Sequence, residues 1–243
     1  MRILVANANT TQMVTDAVVA EALRHASPGT DIIGATAGFG MGIVSTEAGN
    51  AVAGHAALEL LARHVGQVDA AILAISFDTA LAAAQELMPF PVVGMTAAAL
   101  HTACLMGRRF GLVSFGDGSR LMYLDMVQAS GLGGRMVGHE VVGLESAAAY
   151  LDTTRLDAAV LEAASRLRDR GATSVIIAGA ATSCMAMRLQ ASATVQLLDG
   201  VGCAVRLAEV LVGLGVKATP ARPLANANPP LGLGNALSTL LTG

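Results

Sequence analysis

The sequence predicts an α/β fold made of two similar parallel-sheet units related by pseudo-twofold symmetry, with a site in the cleft between them. Three observations carry that reading. Short apolar runs of strand length alternate with alanine-rich segments of helix length, the pattern of a parallel sheet covered on both faces. Near Arg109 the pattern begins again. The strand ends of the two halves also match in position, ILVANANTT with FGLVSFGDGS and AAILAISFDT with SVIIAGAATS.

In the first half, Arg2 to Ala6 is a β-rich strand ended by Asn7-Ala8-Asn9-Thr10-Thr11, where Thr10 or Thr11 can cap a helix that runs to about His25. Ser27-Pro28-Gly29 is a turn, and Asp31 to Ala35 a second strand. GFGMGIVS, residues 38–45, is a loop, followed by a helix from about Glu47 to His64. Ala70 to Ile75 is a buried strand that stops at Ser76-Phe77-Asp78-Thr79, and an alanine-rich segment follows. Pro91 to Met95 and Ala97 to Met106 give one more strand and helix.

The second half repeats this plan. Phe110 to Ser114 is a strand ending in Phe115-Gly116-Asp117-Gly118-Ser119, with a helix to about Ala129. A strand near Met136 to Val142 and a helix from about Leu156 to Arg170 come next. Ser174 to Ala178 is a buried strand, and a helix opens within Gly179 to Cys184. Val195 to Leu198 and a helix from Gly202 to about Leu214 complete the half. The tail ATPARPLANANPP is irregular, and Leu231 to Leu241 adds a last helix. By chain order, residues 1–96 with 215–243 form the first unit and 97–214 the second.

Composition narrows the function. Of the 243 residues, 53% are hydrophobic and only 14% charged, so part of an unusually apolar surface is expected to be buried in a homo-oligomer. A net charge of −3 without a basic cluster, and 3% aromatics, argue against a nucleic-acid partner. The apolar runs are too short for a membrane span, and the amino terminus opens directly on a strand, so a cytoplasmic protein is expected. Cys104, Cys184 and Cys203 lack CxxC spacing, which suits a reducing compartment and no zinc site. No Walker loop, G-x-S-x-G or dinucleotide fingerprint is present, and the glycines of the 38–45 loop follow a weak strand with the wrong spacing. The reading is therefore of a small-molecule site without cofactor or metal.

Candidate residues lie at the strand ends. Ser76 and Phe77 could cradle a carboxylate or carbonyl oxygen through backbone N–H groups, or Ser76 is simply a small residue that fits there. Ser114 and Ser119 stand beside two glycines and could bind the same group. Ala181, Thr182 and Ser183 line the opposite loop, where the hydroxyls either bind or cap. Cys184 is either a helix-terminal acid/base thiol or a small buried hydrophobe, and free cysteines are usually buried, which favours the second. Cys104 and Cys203 read as core. His25, His55, His64 and His101 read as solvated or capping, and His139 and Glu140 as facing opposite sides of a strand.

Taken in order, LVANANTT, the SFD segment after an apolar strand, PVVGM before an alanine-rich helix, GRRFGLVS, the VIIAG strand end, and LLDGV before RLAEVLVGLG resemble the aspartate/glutamate/hydantoin racemase superfamily. Within it, the likeness is to the hydantoin and allantoin racemase branch. The resemblance implies a cofactor-independent isomerase acting at a carbon acid of a small cyclic amide, with two cysteines facing each other across the cleft. It places the first cysteine at Ser76 and the second at Ala180, and makes Asn7, Asn9 and Thr10 binding positions, their alternative being a cap and turn. Both thiols are therefore absent. A serine hydroxyl is a far poorer base than a thiolate, and alanine has no proton to exchange. A decarboxylation or ring-opening hydrolysis using Ser76 or Cys184, and a catalytically silent binding protein, are the alternatives the same cleft allows.

Overall fold

The computed structural model describes residues 1–143, 153–182, 184–216 and 230–242. Its strands form two four-stranded sheets in which every pair is parallel. In the first, β1 (Arg2–Asn7), β2 (Asp31–Thr36), β3 (Ala70–Leu73) and β4 (Val92–Gly94) lie in the order β2-β1-β3-β4. In the second, β5 (Phe110–Phe115), β6 (Met136–Val142), β7 (Ser174–Ile177) and β8 (Gln196–Asp199) lie in the order β6-β5-β7-β8. The two orders are the same. In each sheet the winding reverses between the two central strands, and a crevice opens outside their carboxyl ends.

Nine helices flank the sheets among the described residues: α1 (Gln12–His25), α2 (Glu47–Ala62), α3 (Leu81–Leu87), α4 (Met95–Met106), α5 (Arg120–Ala129), α6 (Thr153–Asp169), α7 (Met185–Leu189), α8 (Gly200–Gly213) and α9 (Asn235–Thr242). None is long and apolar enough to cross a membrane. The central strands read as unbroken apolar runs because both of their faces are covered. On one face of the first sheet, Leu4, Ala6, Ala71 and Leu73 pack under α2 and α9. On the other, Ile3, Val5 and Ile72 pack under Val18 and Ala22 of α1 and under Val201, Ala204, Val205 and Ala208 of α8. In the second sheet, Val113, Val175 and Ile177 meet α6 and α7. Phe110, Leu112 and Ile176 meet Ala99, Leu100 and Ala103 of α4 and Tyr123 and Val127 of α5.

Two helices thus change sides. Helix α4 leaves the first sheet and covers the second; α8 leaves the second sheet and covers the first. Chain order placed Gly200–Gly213 with the second unit, but its apolar side chains join the core of the first. Both helices are built of small residues, MTAAALHTACLM and GVGCAVRLAEVLVG, which lets them pack closely along the junction. Gly200 marks the tightest point: a Cβ there would lie 2.6 Å from the backbone oxygen of Met95. The last helix is held on α2 by Leu237 and by Glu59, whose Oε1 accepts the Gly234 N–H at 2.6 Å. Nearly all of the expected irregular tail lies outside the described residues.

Gly200→Ala should cost about 2 to 3 kcal/mol, because the atom it meets is backbone and cannot turn away. Gly213→Ala, in the same helix with nothing within 4 Å of the added Cβ, should be neutral or stabilise by up to about 1 kcal/mol. Urea denaturation of both variants checks this, and equal midpoints would remove the close junction from the account.

Candidate functional site

The shared register shows which residues correspond in the two halves. Ala6 pairs with Leu73 in the first sheet as Val113 pairs with Ile177 in the second, and the Ala74 and Ala178 N–H groups donate to Ala6 and Val113 in the same way. Counting on from these pairs, Asn7 corresponds to Ser114, Ser76 to Ala180 and Asp78 to Thr182. The two strand ends also reach across the junction. Phe77 packs against the cores of both units, and Ala180 packs against the first-unit core that contains Ala74.

On the first wall, Asn7 is fully buried and all its polar atoms are used. Its amide donates to Asn9 Oδ1 at 3.0 Å, Thr15 Oγ1 at 2.9 Å and Thr11 O at 3.2 Å, and its oxygen accepts the Asn9 N–H at 3.1 Å. Asn7 therefore shapes the loop from below. Asn9 Oδ1 takes the Thr11 N–H, so Asn9 satisfies the start of α1, while the hydroxyl of Thr11 donates to Gly42 O instead of capping. Thr10 is exposed, with its N–H on Met41 O.

Ser76 is buried at the end of β3, and its hydroxyl has no partner among the described residues. Its backbone oxygen accepts from Thr96 Oγ1 at 2.7 Å, which ties the strand end to α4. Asp78 holds the same helix more directly. In a left-handed conformation with φ 48°, it aims its carboxylate at the first turn of α4 and accepts the N–H groups of Thr96 at 3.0 Å and Ala97 at 2.6 Å. Burial pushes its pKa from 3.8 up to about 7, against the lowering pull of those two N–H groups.

The second wall is built differently. Ser114 is fully buried, and its hydroxyl lies 2.7 Å from His139 Nε2. The His139 ring stands edge-on to Tyr123 at 5.8 Å, and Tyr123 in turn lies 4.8 Å from Phe77. Burial, and then the nearby Arg120 charge, push the His139 pKa down to about 4, so its ring is neutral near pH 7. Glu140 points the other way, to Arg166 and Arg170. Ser119 donates back to Phe115 O and Gly116 O, and Thr182 donates back to Ala178 O and Gly179 O, so each hydroxyl closes its own loop rather than capping the helix ahead. Ala181 is exposed, and Ser183 lies outside the described residues.

Cys184 corrects an expectation. It is exposed rather than buried, because Gly179 at φ 120° and the single turn Ala180–Thr182 fold Thr182 inward and leave Cys184 outside, beside Arg188. Cys104 and Cys203 are partly buried against the second core, and burial pushes the Cys203 thiol up to about 11. Neither wall of the crevice carries a thiol at the corresponding positions Ser76 and Ala180.

The profile of the Asp/Glu/Hydantoin racemase family matches residues 3–208. The chain belongs to this family. A curated hydantoin racemase of Paenarthrobacter aurescens is 28% identical over 224 residues, covering 91% of this chain and 95% of the relative. The solved allantoin racemase of Pseudomonas fluorescens superposes with a TM-score of 0.86 at 28% identity, covering 94% of this chain and 100% of that one. The allantoin racemase of Klebsiella pneumoniae gives 0.85 at 26% identity, covering 93% and 97%. As a family member, the chain resembles hydantoin and allantoin racemases over nearly its whole length.

Sequence reasoning gave no role to Asp78, Thr96 or Tyr123, and set His139 only against Glu140, on the opposite face of its strand, where the structure also has it. Asp78 was in view as the last letter of SFD, but its partners come from α4, 18 and 19 positions on. Ser114 and His139 are 25 positions apart, and no local pattern joins them. Elsewhere, Glu21, His25 and Asp199 each bring a ligand-type atom within 4.8 Å of the others. These groups satisfy one another: Glu21 pairs with Arg24 and His25, and Asp199 accepts the Gly202 N–H at 2.8 Å.

The two buried titrating groups push stability in opposite directions. Asp78 has a raised folded pKa, so its contribution is full below pH 4 and is lost as pH rises through about 7. His139 has a lowered folded pKa, so its contribution is full above its unfolded value of 6.5 and is lost as pH falls through about 4. Denaturation between pH 4.5 and 7.5 should show Asp78→Asn gaining stability with pH relative to wild type, and His139→Gln losing it. Parallel profiles for all three proteins would contradict both assignments.

Proposed function

We propose that this protein is a cofactor-independent enzyme acting at a carbon acid next to a carbonyl in a small cyclic amide, hydantoin-like or allantoin-like, bound between the Ser76 and Ala180 strand ends. The observation that carries this reading is the correspondence of those two positions, one on each wall, in a chain of this family. All three named relatives are racemases of cyclic amides by name, and the candidate residues at the strand ends (Asn9, Thr10, Ser76, Phe77, Ser119, Ala181 and Thr182) include no cation to neutralise a free amino acid's carboxylate.

Racemisation removes the proton on one face of the ring carbon, leaves an enolate-like anion whose charge sits on the neighbouring carbonyl oxygen, and returns a proton to the other face. Ser76 can serve the middle step: its unpartnered, buried hydroxyl is a donor available to that oxygen. It is a weak base for the first step, and Ala180 can do nothing in the last. The fit of the site to the ring and its weakness in proton transfer are thus separate properties of the same two residues.

The test separates them as well. Ser76→Cys with Ala180→Cys should exchange the α-proton of a 5-substituted hydantoin or of allantoin with solvent deuterium at least about 100-fold faster than the unsubstituted chain, followed by NMR, and should invert the centre. Ligand-dependent thermal stabilisation of the unsubstituted chain without turnover would favour a binding role for the cleft. No exchange by the double variant across a panel of cyclic amides, with no stabilisation by any of them, would defeat the proposal.

A further inference from the structure

A groove of about 480 Å³ leaves the first strand end and runs outward between α3 and α5. Phe77 and Asp78, the residues that follow Ser76, belong to its lining, so it lies beside the loop on which the ring is proposed to sit. Its sides are apolar, with Leu81 from α3, Leu100 from α4, and Met122 and Met126 from α5. The volume is that of a small-ligand pocket, and methionines adapt to flexible alkyl chains.

The charges along it are of one sign. Glu47, Asp78 and Asp125 border the groove, while its lining contains no lysine, arginine or histidine. Both Glu47 and Asp125 are exposed, and neither has a cationic partner among the described residues. Exposed carboxylates are commonly just solvated. Here they rim a concave apolar surface, where field lines from like charges are concentrated and an arriving cation is favoured over an anion.

We propose that this groove receives the side arm of the ring ligand and selects an apolar arm ending in a cation, an alkylammonium or alkylguanidinium group. The arm lies on the leucine and methionine side chains, and its head group meets Glu47 and Asp125. This rests on the strand ends being the ring site.

Calorimetric titration of the full chain with hydantoin, 5-butylhydantoin, 5-(4-aminobutyl)hydantoin, 5-(2-carboxyethyl)hydantoin and butylammonium tests it. The aminobutyl ligand should bind about tenfold more tightly than the butyl one, and the carboxyethyl ligand more weakly than the bare ring. Glu47→Gln with Asp125→Asn, both surface changes, should abolish the tenfold gain, and so should 0.5 M salt. Equal binding of the butyl and aminobutyl ligands, or a gain that survives the double variant, overturns the groove while leaving the ring site standing. Binding of butylammonium but of no hydantoin overturns the groove's role as a side-arm pocket together with the ring site.

Discussion

The exchange of α4 and α8 between the two sheets is the constraint on which the rest depends. Helix α4 follows the last strand of the first sheet and buries its small-residue face against the second, while α8 does the reverse, so one face of each sheet is covered in part by a helix from the other unit. Each unit therefore completes the other's core. The carboxyl ends of β3 and β7 are brought to a common junction, where Phe77 reaches into the second core and Ala180 into the first. Asp78 and Thr96 belong to the same arrangement: they fasten the start of α4 to the end of β3, so the junction is set at the residues next to Ser76.

The sequence announced the sheets clearly, and the physical reason is burial. Strands covered on both faces must be apolar throughout, so ILVA, AAIL and SVII stand out against their polar strand-end loops, and those loops are where a ligand site in such a sheet has to be. What stayed hidden was partnership at a distance. Helix α4 is so uniformly small and apolar that no stripe marks its buried face, and the apolar stripe of α8 does not say which sheet it will cover. The Asp78 carboxylate and the Ser114–His139 pair depend on the approach of elements remote in sequence. Cys184 was misjudged because the habit of a residue type outweighed the local turn, which the backbone at Gly179 decides.

Family membership and the chemistry of the site bear on different things. A match along residues 3–208 and two superpositions above 0.8 fix the family and the architecture. Function rests on the groups that line it. Here the loop supports are intact: the Asn7–Asn9–Thr15 network on one side and the back-bonded turns at Ser119 and Thr182 on the other hold their loops without help from a ligand. Loops so held do not depend for their shape on what stands at Ser76 and Ala180, and the proposed binding of a ring is therefore separable from the proposed proton transfer.

The pseudo-symmetry is broken in a way that matters for that chemistry. Where the first wall has Asp78, the second has Thr182, whose hydroxyl is spent within its own turn; where the first has the unpartnered hydroxyl of Ser76, the second has Ala180. Gly94 likewise corresponds to Asp199, so the carboxylate that starts α4 comes from the loop after β3, while the one that starts α8 comes from its own N-cap. Among the described crevice residues, the group that changes charge near neutral pH stands on the first wall, because burial brings Asp78 there while His139 is held neutral. Inversion at carbon needs a proton acceptor on one face and a donor on the other. Asp78 fills neither role from where it stands, because its carboxylate faces the Thr96 and Ala97 N–H groups, so for the proposed reaction the missing pair is the one that cysteines at positions 76 and 180 would supply.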